Sequence, residues 1–214
     1  MKSSRIILST AAIWLAATMT PVWAASSIEV PTSPTAPSVD PRADDATFAP
    51  AAIAQLGWNS TQSRDADEET TARVSTDGKN LYVRFDATQR ERIVSASVVD
   101  GRSDGDLVWI ALQPSGASGA TYTFAASPDG TSGAATAPSS TAPAFKASGA
   151  TFDGGYTVTM AIPLSALRGA QGGAWSAQFG RSVHASGQQF VWSHDGNVAQ
   201  AGTMTMPASV GITP

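Results

Sequence analysis

The sequence predicts an all-β protein: an antiparallel β-sandwich of the jelly-roll or immunoglobulin-like kind, folded as a single domain. Three observations predict it. From Trp58 onward the apolar residues recur with a period of two, turn signals built from Asp, Gly and Pro separate the periodic segments, and no strand–helix alternation exists to build a parallel sheet. Of the 214 residues, 42% are hydrophobic and 14% charged, which excludes a wholly disordered chain.

The first 24 residues read as a leader that is not part of the fold. Lys2 and Arg5 form a short positive region, Ile6 to Met19 is mostly apolar, and Thr20 to Ala24 supplies a break with small residues before a cut after Ala24. That pattern predicts a secretory signal peptide over residues 1–24 and a periplasmic or secreted mature protein. A spanning helix needs about 20 continuous apolar residues, and no later stretch offers them, so no transmembrane segment is expected once the leader is removed.

Residues 25–42 carry Pro31, Pro34, Pro37 and Pro41, which forbid a helix. They read as a tail or linker that lays one short strand, Ile28–Val30, on the domain of residues 43–214. The Ala-rich stretch 44–56 has an acidic start and reads as a short helical turn interrupted by Pro50.

Strands are then expected at 70–76 and 81–87, joined by Asp77-Gly78-Lys79-Asn80, a strong hairpin signal. On the second of these, Leu81, Val83 and Phe85 share one face and Tyr82, Arg84 and Asp86 the other. Further strands are expected at 95–99, 106–113 and 121–126. The strand at 106–113 turns Val108, Ile110 and Leu112 one way and Trp109 the other. Residues 131–149, rich in Ala, Ser, Thr and Gly with two Pro, read as a mobile loop. Four more strands are expected at 155–162, 174–183, 189–193 and 201–206, with a helical turn at 164–167 after the first.

Composition excludes several classes of function. The absence of Cys removes disulfides, thiolate metal sites and a cysteine nucleophile. With 17 acidic against 13 basic residues, the chain lacks the basic excess of a nucleic-acid binder. No G-x-S-x-G elbow occurs, and no pair of carboxyls is specified for glycoside hydrolysis, so the chain is not expected to be an enzyme.

Five runs, in one order, resemble family 9 carbohydrate-binding modules and the related DOMON-like domains. They are residues 77–85 (DGKNLYVRF), 104–112 (DGDLVWIAL), 122–130 (YTFAASPDG), 155–167 (GYTVTMAIPLSAL) and 175–181 (WSAQFGR) followed by Trp192-Ser193. Three positions depart from the pattern. Phe48 stands where an early Trp is expected, Ser127 where Asn is usual, and Thr159 where an acidic residue is frequent. The resemblance covers roughly residues 40–210 of the chain and implies a sandwich that binds sugars in many relatives, sometimes with structural Ca²⁺.

A sugar ring offers C–H faces that stack on aromatic rings and hydroxyls that need planar polar groups. The candidate ligand-binding residues are accordingly Trp58, Tyr82, Arg84, Trp109, Arg181 and Trp192. If their strands share a sheet, Tyr82, Arg84 and Trp109 form a platform; the alternative is that chain from the N-terminal segment or the 131–149 loop covers it. Trp58 and Trp192, both at loop edges, form a clamp for a ring or else plug the end of the sandwich. The acidic runs at 65–69 and 100–106 offer oxygens for Ca²⁺, although the first has no EF-hand spacing and reads as a solvated face. Met160, Met204 and Met206 with His184 or His194 supply the atoms of a haem site of DOMON type. The expected function is therefore an exported, non-catalytic module binding carbohydrate or a cell-envelope glycan. The alternatives are an envelope structural or protein-interaction module and a haem redox domain.

Overall fold

The computed structural model describes residues 26–43, 45–116, 119–138, 142–195 and 198–210. The predicted signal peptide lies outside the described residues. Among the described residues the chain forms two facing sheets and one small hairpin.

The first sheet has nine strands. Its central path runs β11 (Ser132–Ala137), β10 (Thr121–Ala126), β9 (Leu107–Gln113), β14 (Gly173–Val183), β15 (Gln188–Val191), β3 (Trp58–Asn59) and β4 (Arg64–Asp65). The eleven-residue β14 divides its second edge: its C-terminal half pairs with β15, and its N-terminal half with β16 (Gly202–Met206). Strand β1 (Ser27–Glu29) runs parallel to β16 and ties the Pro-rich segment to this sheet. The second sheet has five strands in the order β12 (Lys146–Phe152), β13 (Gly155–Pro163), β6 (Asn80–Thr88), β5 (Thr70–Thr76) and β2 (Ala52–Gln55). Strands β7 (Val98–Val99) and β8 (Arg102–Ser103) form the separate hairpin.

Period-two alternation builds the core. Val108, Ile110 and Leu112 from β9 and Tyr122, Phe124 and Ala126 from β10 face Leu81, Val83 and Phe85 from β6 and Val158, Met160 and Ile162 from β13. The β5–β6 hairpin closes through Asp77 and Gly78, the latter at φ +82°, a left-handed conformation that glycine adopts without steric cost. Asp77 Oδ1 accepts the backbone N–H groups of Lys79 and Asn80, which fixes the turn.

Two expectations are corrected. The span 131–149 is not a loop throughout: residues 132–137 form β11 and residues 146–149 begin β12, the outermost strands of the two sheets. Small side chains with few of their own contacts read as loop, yet the neighbouring strand supplies the register, from Thr121↔Ala137 through Ala126↔Ser132. Within 44–56, the helical turn is the short 3₁₀ segment Asp45–Phe48, and the residues beyond Pro50 form the strand β2.

Candidate functional site

The outer face of the nine-stranded sheet holds the side chains that the core does not claim. On β9, burying Val108 and Ile110 turns Trp109 outward. The register sets Trp109 opposite Gly180 on one side and Ala125 on the other. Both neighbours are small, so the indole lies down against the sheet: a Cβ on Gly180 would fall 2.1 Å from Trp109 Cζ2. Val98, Leu107 and Ala125 pack against the indole, which remains half-buried.

The β7–β8 hairpin stands over β10 and β11 and makes a wall. Gly101 sits where a Cβ would meet Thr123 Cγ2 at 3.3 Å, and Gly133 lies beneath the Val98 carbonyl. Between hairpin and sheet runs an open groove of about 460 Å³, lined by Trp109, Arg102, Ser103, Thr123, Ser182 and Gln189 among others. Arg102 and Gln189 are exposed. Among the described residues the Arg102 guanidinium makes no hydrogen bond or ion pair, and no carboxylate lines the groove. An aromatic face beside hydroxyl, amide and guanidinium groups suits a ring with an apolar side and polar edges.

The six residues expected from the sequence do not come together. Tyr82 and Arg84 lie on the outer face of the five-stranded sheet, whereas Trp109 belongs to the other sheet, so the three form no platform. Chain from residues 39–51 covers Tyr82, which packs with Phe48, Ala161, Val39 and Ala51. Arg84 donates from Nη1 to the Ala43 carbonyl at 3.1 Å and pairs through Nε with Asp86, which also binds Arg73 and Thr157. The Tyr82 hydroxyl donates to Asp77 Oδ2 at 2.9 Å. Burial, and then that carboxylate, push the Tyr82 phenol above its usual range. For Asp77, partial burial opposes ionisation, but the Asn80 and Lys79 N–H groups and Tyr82 together outweigh it and hold the carboxyl below its ordinary value.

Trp58 shares the outer face with Trp109 in one cross-strand row, Trp109–Gly180–Val191–Trp58, but is only 7% exposed. His194 stacks on it at 4.3 Å between ring centres and 9° between planes. Trp192 points the other way, into the core, with its ring edge-on to Phe179 at 5.4 Å. The two indoles therefore occupy opposite faces of one sheet and form no clamp.

Arg181 faces inward between Phe179 and Val183 and has no exposed surface. Its Nη1 donates to Thr70, and its Nη2 to Glu68 at 3.0 Å and to Gln89 at 2.9 Å, while the guanidinium lies over the rings of Tyr156 and Phe190. It locks one end of the sandwich. Burial beside it pushes the Tyr156 phenol up to about 12, although the positive charge pulls the other way.

Three carboxylates of the acidic runs expected to offer oxygens to Ca²⁺ are engaged within the fold. Among the described residues no three His, Asp or Glu side chains gather to hold a metal. In the first acidic run Glu68 binds Arg181 and Asp67 binds Arg64, whose hydrogen bond lowers the Asp67 carboxyl below its ordinary value. In the second, Asp106 is saturated by Gln89 and by the backbone N–H groups of Val94 and His184. Met160, Met204 and Met206 are packed into the core, while His184 is exposed at a turn and His194 is held against Trp58.

Sequence reasoning placed Trp109 outward but missed its companions. Thr123 lies between inward Tyr122 and Phe124, Ser182 between inward Arg181 and Val183, and Gln189 beside inward Phe190, so alternation alone places all three outward. Arg102 and Ser103 reach the groove only because the hairpin folds back over the sheet, and no periodicity carries that.

Comparison with known proteins agrees with the fold. The model of the family described as carbohydrate family 9 binding domain-like matches residues 39–190. No curated protein matches the chain. Among solved structures, a protein of Bacteroides uniformis described as carbohydrate-binding superposes with a TM-score of 0.67 at 16% identity, covering 86% of this chain and 100% of that one. A family 9 carbohydrate binding module of Caldicellulosiruptor kristjanssonii, solved with cellotriose, gives 0.59 at 15% identity over 88% and 98% of the two chains. The same organism's module solved with glucose gives 0.60 at 16% identity, over 88% and 100%.

Proposed function

The chain belongs to the carbohydrate family 9 binding domain-like family, and from that premise we propose that it is exported and takes its sugar on the outer face of the nine-stranded sheet, with the Trp109 indole as the seat. It is a non-catalytic carbohydrate-binding module. One observation supports this location above others: Trp109 alone of the four indoles outside the leader is left half-buried, and it lies flat in a groove whose other walls carry hydroxyl, amide and guanidinium groups. Stacking supplies affinity without demanding one stereochemistry, and the surrounding polar groups select among sugars.

Export rests on the leader over residues 1–24, and among the described residues no helix is long and apolar enough to cross a membrane. An exported module with this groove is placed to meet glycans of the cell envelope. Glycan-array screening followed by calorimetric titration of the chain tests the reading, with Trp109→Ala as the discriminating variant. Wild-type chain is expected to bind at least one oligosaccharide, and Trp109→Ala to weaken that binding about tenfold or more. An absence of binding at millimolar sugar overturns the reading and leaves a protein partner in the envelope as its successor. Equal binding by Trp109→Ala removes the groove from it.

A further inference from the structure

We propose that the Trp109 groove selects acidic sugars: the pyranose ring of a hexuronic acid lies on the indole while its carboxylate docks on Arg102. This deepens the carbohydrate reading and rests on it. The charge of the groove carries the inference. Arg102 is the one charged side chain among the lining residues, and its guanidinium has no partner among the described residues. Asp100, in the β7–β8 turn, and Asp104, just after β8, flank Arg102 in sequence, yet neither lines the groove. Arg64, Arg73, Arg84 and Arg181 are each matched to a carboxylate, whereas among the described residues the guanidinium groups of Arg42, Arg90, Arg92 and Arg168 are as unpartnered as that of Arg102; Arg102 differs from those four in lining the groove beside the half-buried indole.

A guanidinium offers five donors in a planar fork and no acceptor, and its best complement is a carboxylate held by two parallel hydrogen bonds. A neutral sugar presents hydroxyls that donate as well as accept, and the strong acceptor for them would be a protein carboxylate, which this groove lacks. Ser103, Thr123, Ser182 and Gln189 serve the hydroxyls of either kind of sugar, so the choice falls to the charge. Shape agrees with charge. The equatorial carboxylate of a hexuronate projects from the edge of the ring, so a ring stacked on Trp109 presents it sideways, and Arg102 belongs to β8 at the side of the groove and not to its floor. Because the chain has a formal charge of −4, anions are not gathered by its surface as a whole, and a preference for them must be local.

The test is calorimetric titration of the full chain with trigalacturonate and with a hyaluronan tetrasaccharide, each beside its methyl ester, together with neutral oligosaccharides and with acetate. The acids are expected to bind about tenfold or more tightly than their esters, the advantage shrinking as salt rises. Arg102→Gln should bring each acid down to the affinity of its ester while leaving the ester unchanged, and Trp109→Ala should weaken both. Acid and ester binding alike, or an acid preference that survives Arg102→Gln, overturns the selectivity while the carbohydrate reading stands. Acetate competing as strongly as trigalacturonate overturns it too, since the ring would then contribute nothing. Failure of every acidic and neutral sugar at millimolar concentration overturns the carbohydrate reading itself.

Discussion

Gly180 shows how a single residue governs the groove. It is the cross-strand partner of Trp109, and the indole occupies the space that any side chain would need, with 2.1 Å to a Cβ placed there. Gly180→Ala should therefore lift the ring off the sheet without removing a core contact, because position 180 faces outward between inward Phe179 and Arg181. Overpacking of this kind costs about 1–3 kcal/mol, part of it relieved by rotation of the half-buried indole. The expected outcome is a red-shifted Trp emission and sugar affinity lowered about tenfold, with a thermal midpoint that falls only a few degrees. Unchanged emission and affinity would show that the flat seat of Trp109 is irrelevant to binding. The outward set of Trp109 was legible from alternation, but the glycine beneath it was not, since register across strands distant in sequence is fixed by the whole sheet and not by local pattern. Arg181 illustrates the opposite error. Its neighbours Phe179 and Val183 are inward, so period two already assigns it to the interior, yet a charge invites a surface reading until Glu68, Gln89 and Thr70 are seen around it.

At the scale of elements, the β5–β6 hairpin concentrates what sequence expresses best. Asp77-Gly78 announces the turn, and the structure adds that Asp77 also anchors Tyr82, linking the turn to the strand after it. The carboxyl is held below its ordinary value of 3.8, so its stabilising contribution is present above the unfolded value and is lost as pH falls through the folded one. Asp77→Ala should then cost about 1 kcal/mol or somewhat more at pH 7, the net worth of its hydrogen bonds, and progressively less below about pH 4. Urea unfolding of wild type and variant at pH 7 and pH 3 measures the gap; a gap that does not narrow at the lower pH would refute the assignment. Edge elements were less legible. Strand β11, and β12 apart from Lys146 and Phe152 at its ends, are written in Ala, Ser, Thr and Gly, which give little sign of a strand, and they become strands because β10 and β13 offer them open hydrogen-bonding edges. Strand β2 was hidden in the same way by an Ala-rich segment, since a strand lying alongside β5 needs little apolar side chain of its own.

At the scale of the molecule, the two sheets are joined at one end by apolar contact and by charge together. Arg181 from the nine-stranded sheet reaches Thr70 on β5 and lies over Tyr156 on β13, both in the five-stranded sheet. The fold class was readable because period two repeats along most of the chain, whereas this cross-sheet lock was not, because it depends on which strands face each other. It makes the whole sandwich sensitive to alkali. Tyr156 has no exposed surface, and burial moves its phenol from 10.0 to about 12. A raised folded-state value means that the neutral form stabilises the fold fully below about pH 10 and that this stability drains away as pH climbs through the folded value. Two pH units correspond to about 2–3 kcal/mol. Tyr82 is shifted in the same direction, so the clean comparison is between wild type and Tyr156→Phe, which shares every other titrating group. Urea unfolding across pH 8 to 12 should show the wild type losing stability relative to Tyr156→Phe over the upper two units, with the two proteins within about 1 kcal/mol of each other at pH 8. Parallel curves over that window would mean that Tyr156 reaches solvent in the folded protein and that the two sheets are not sealed at the Arg181 end.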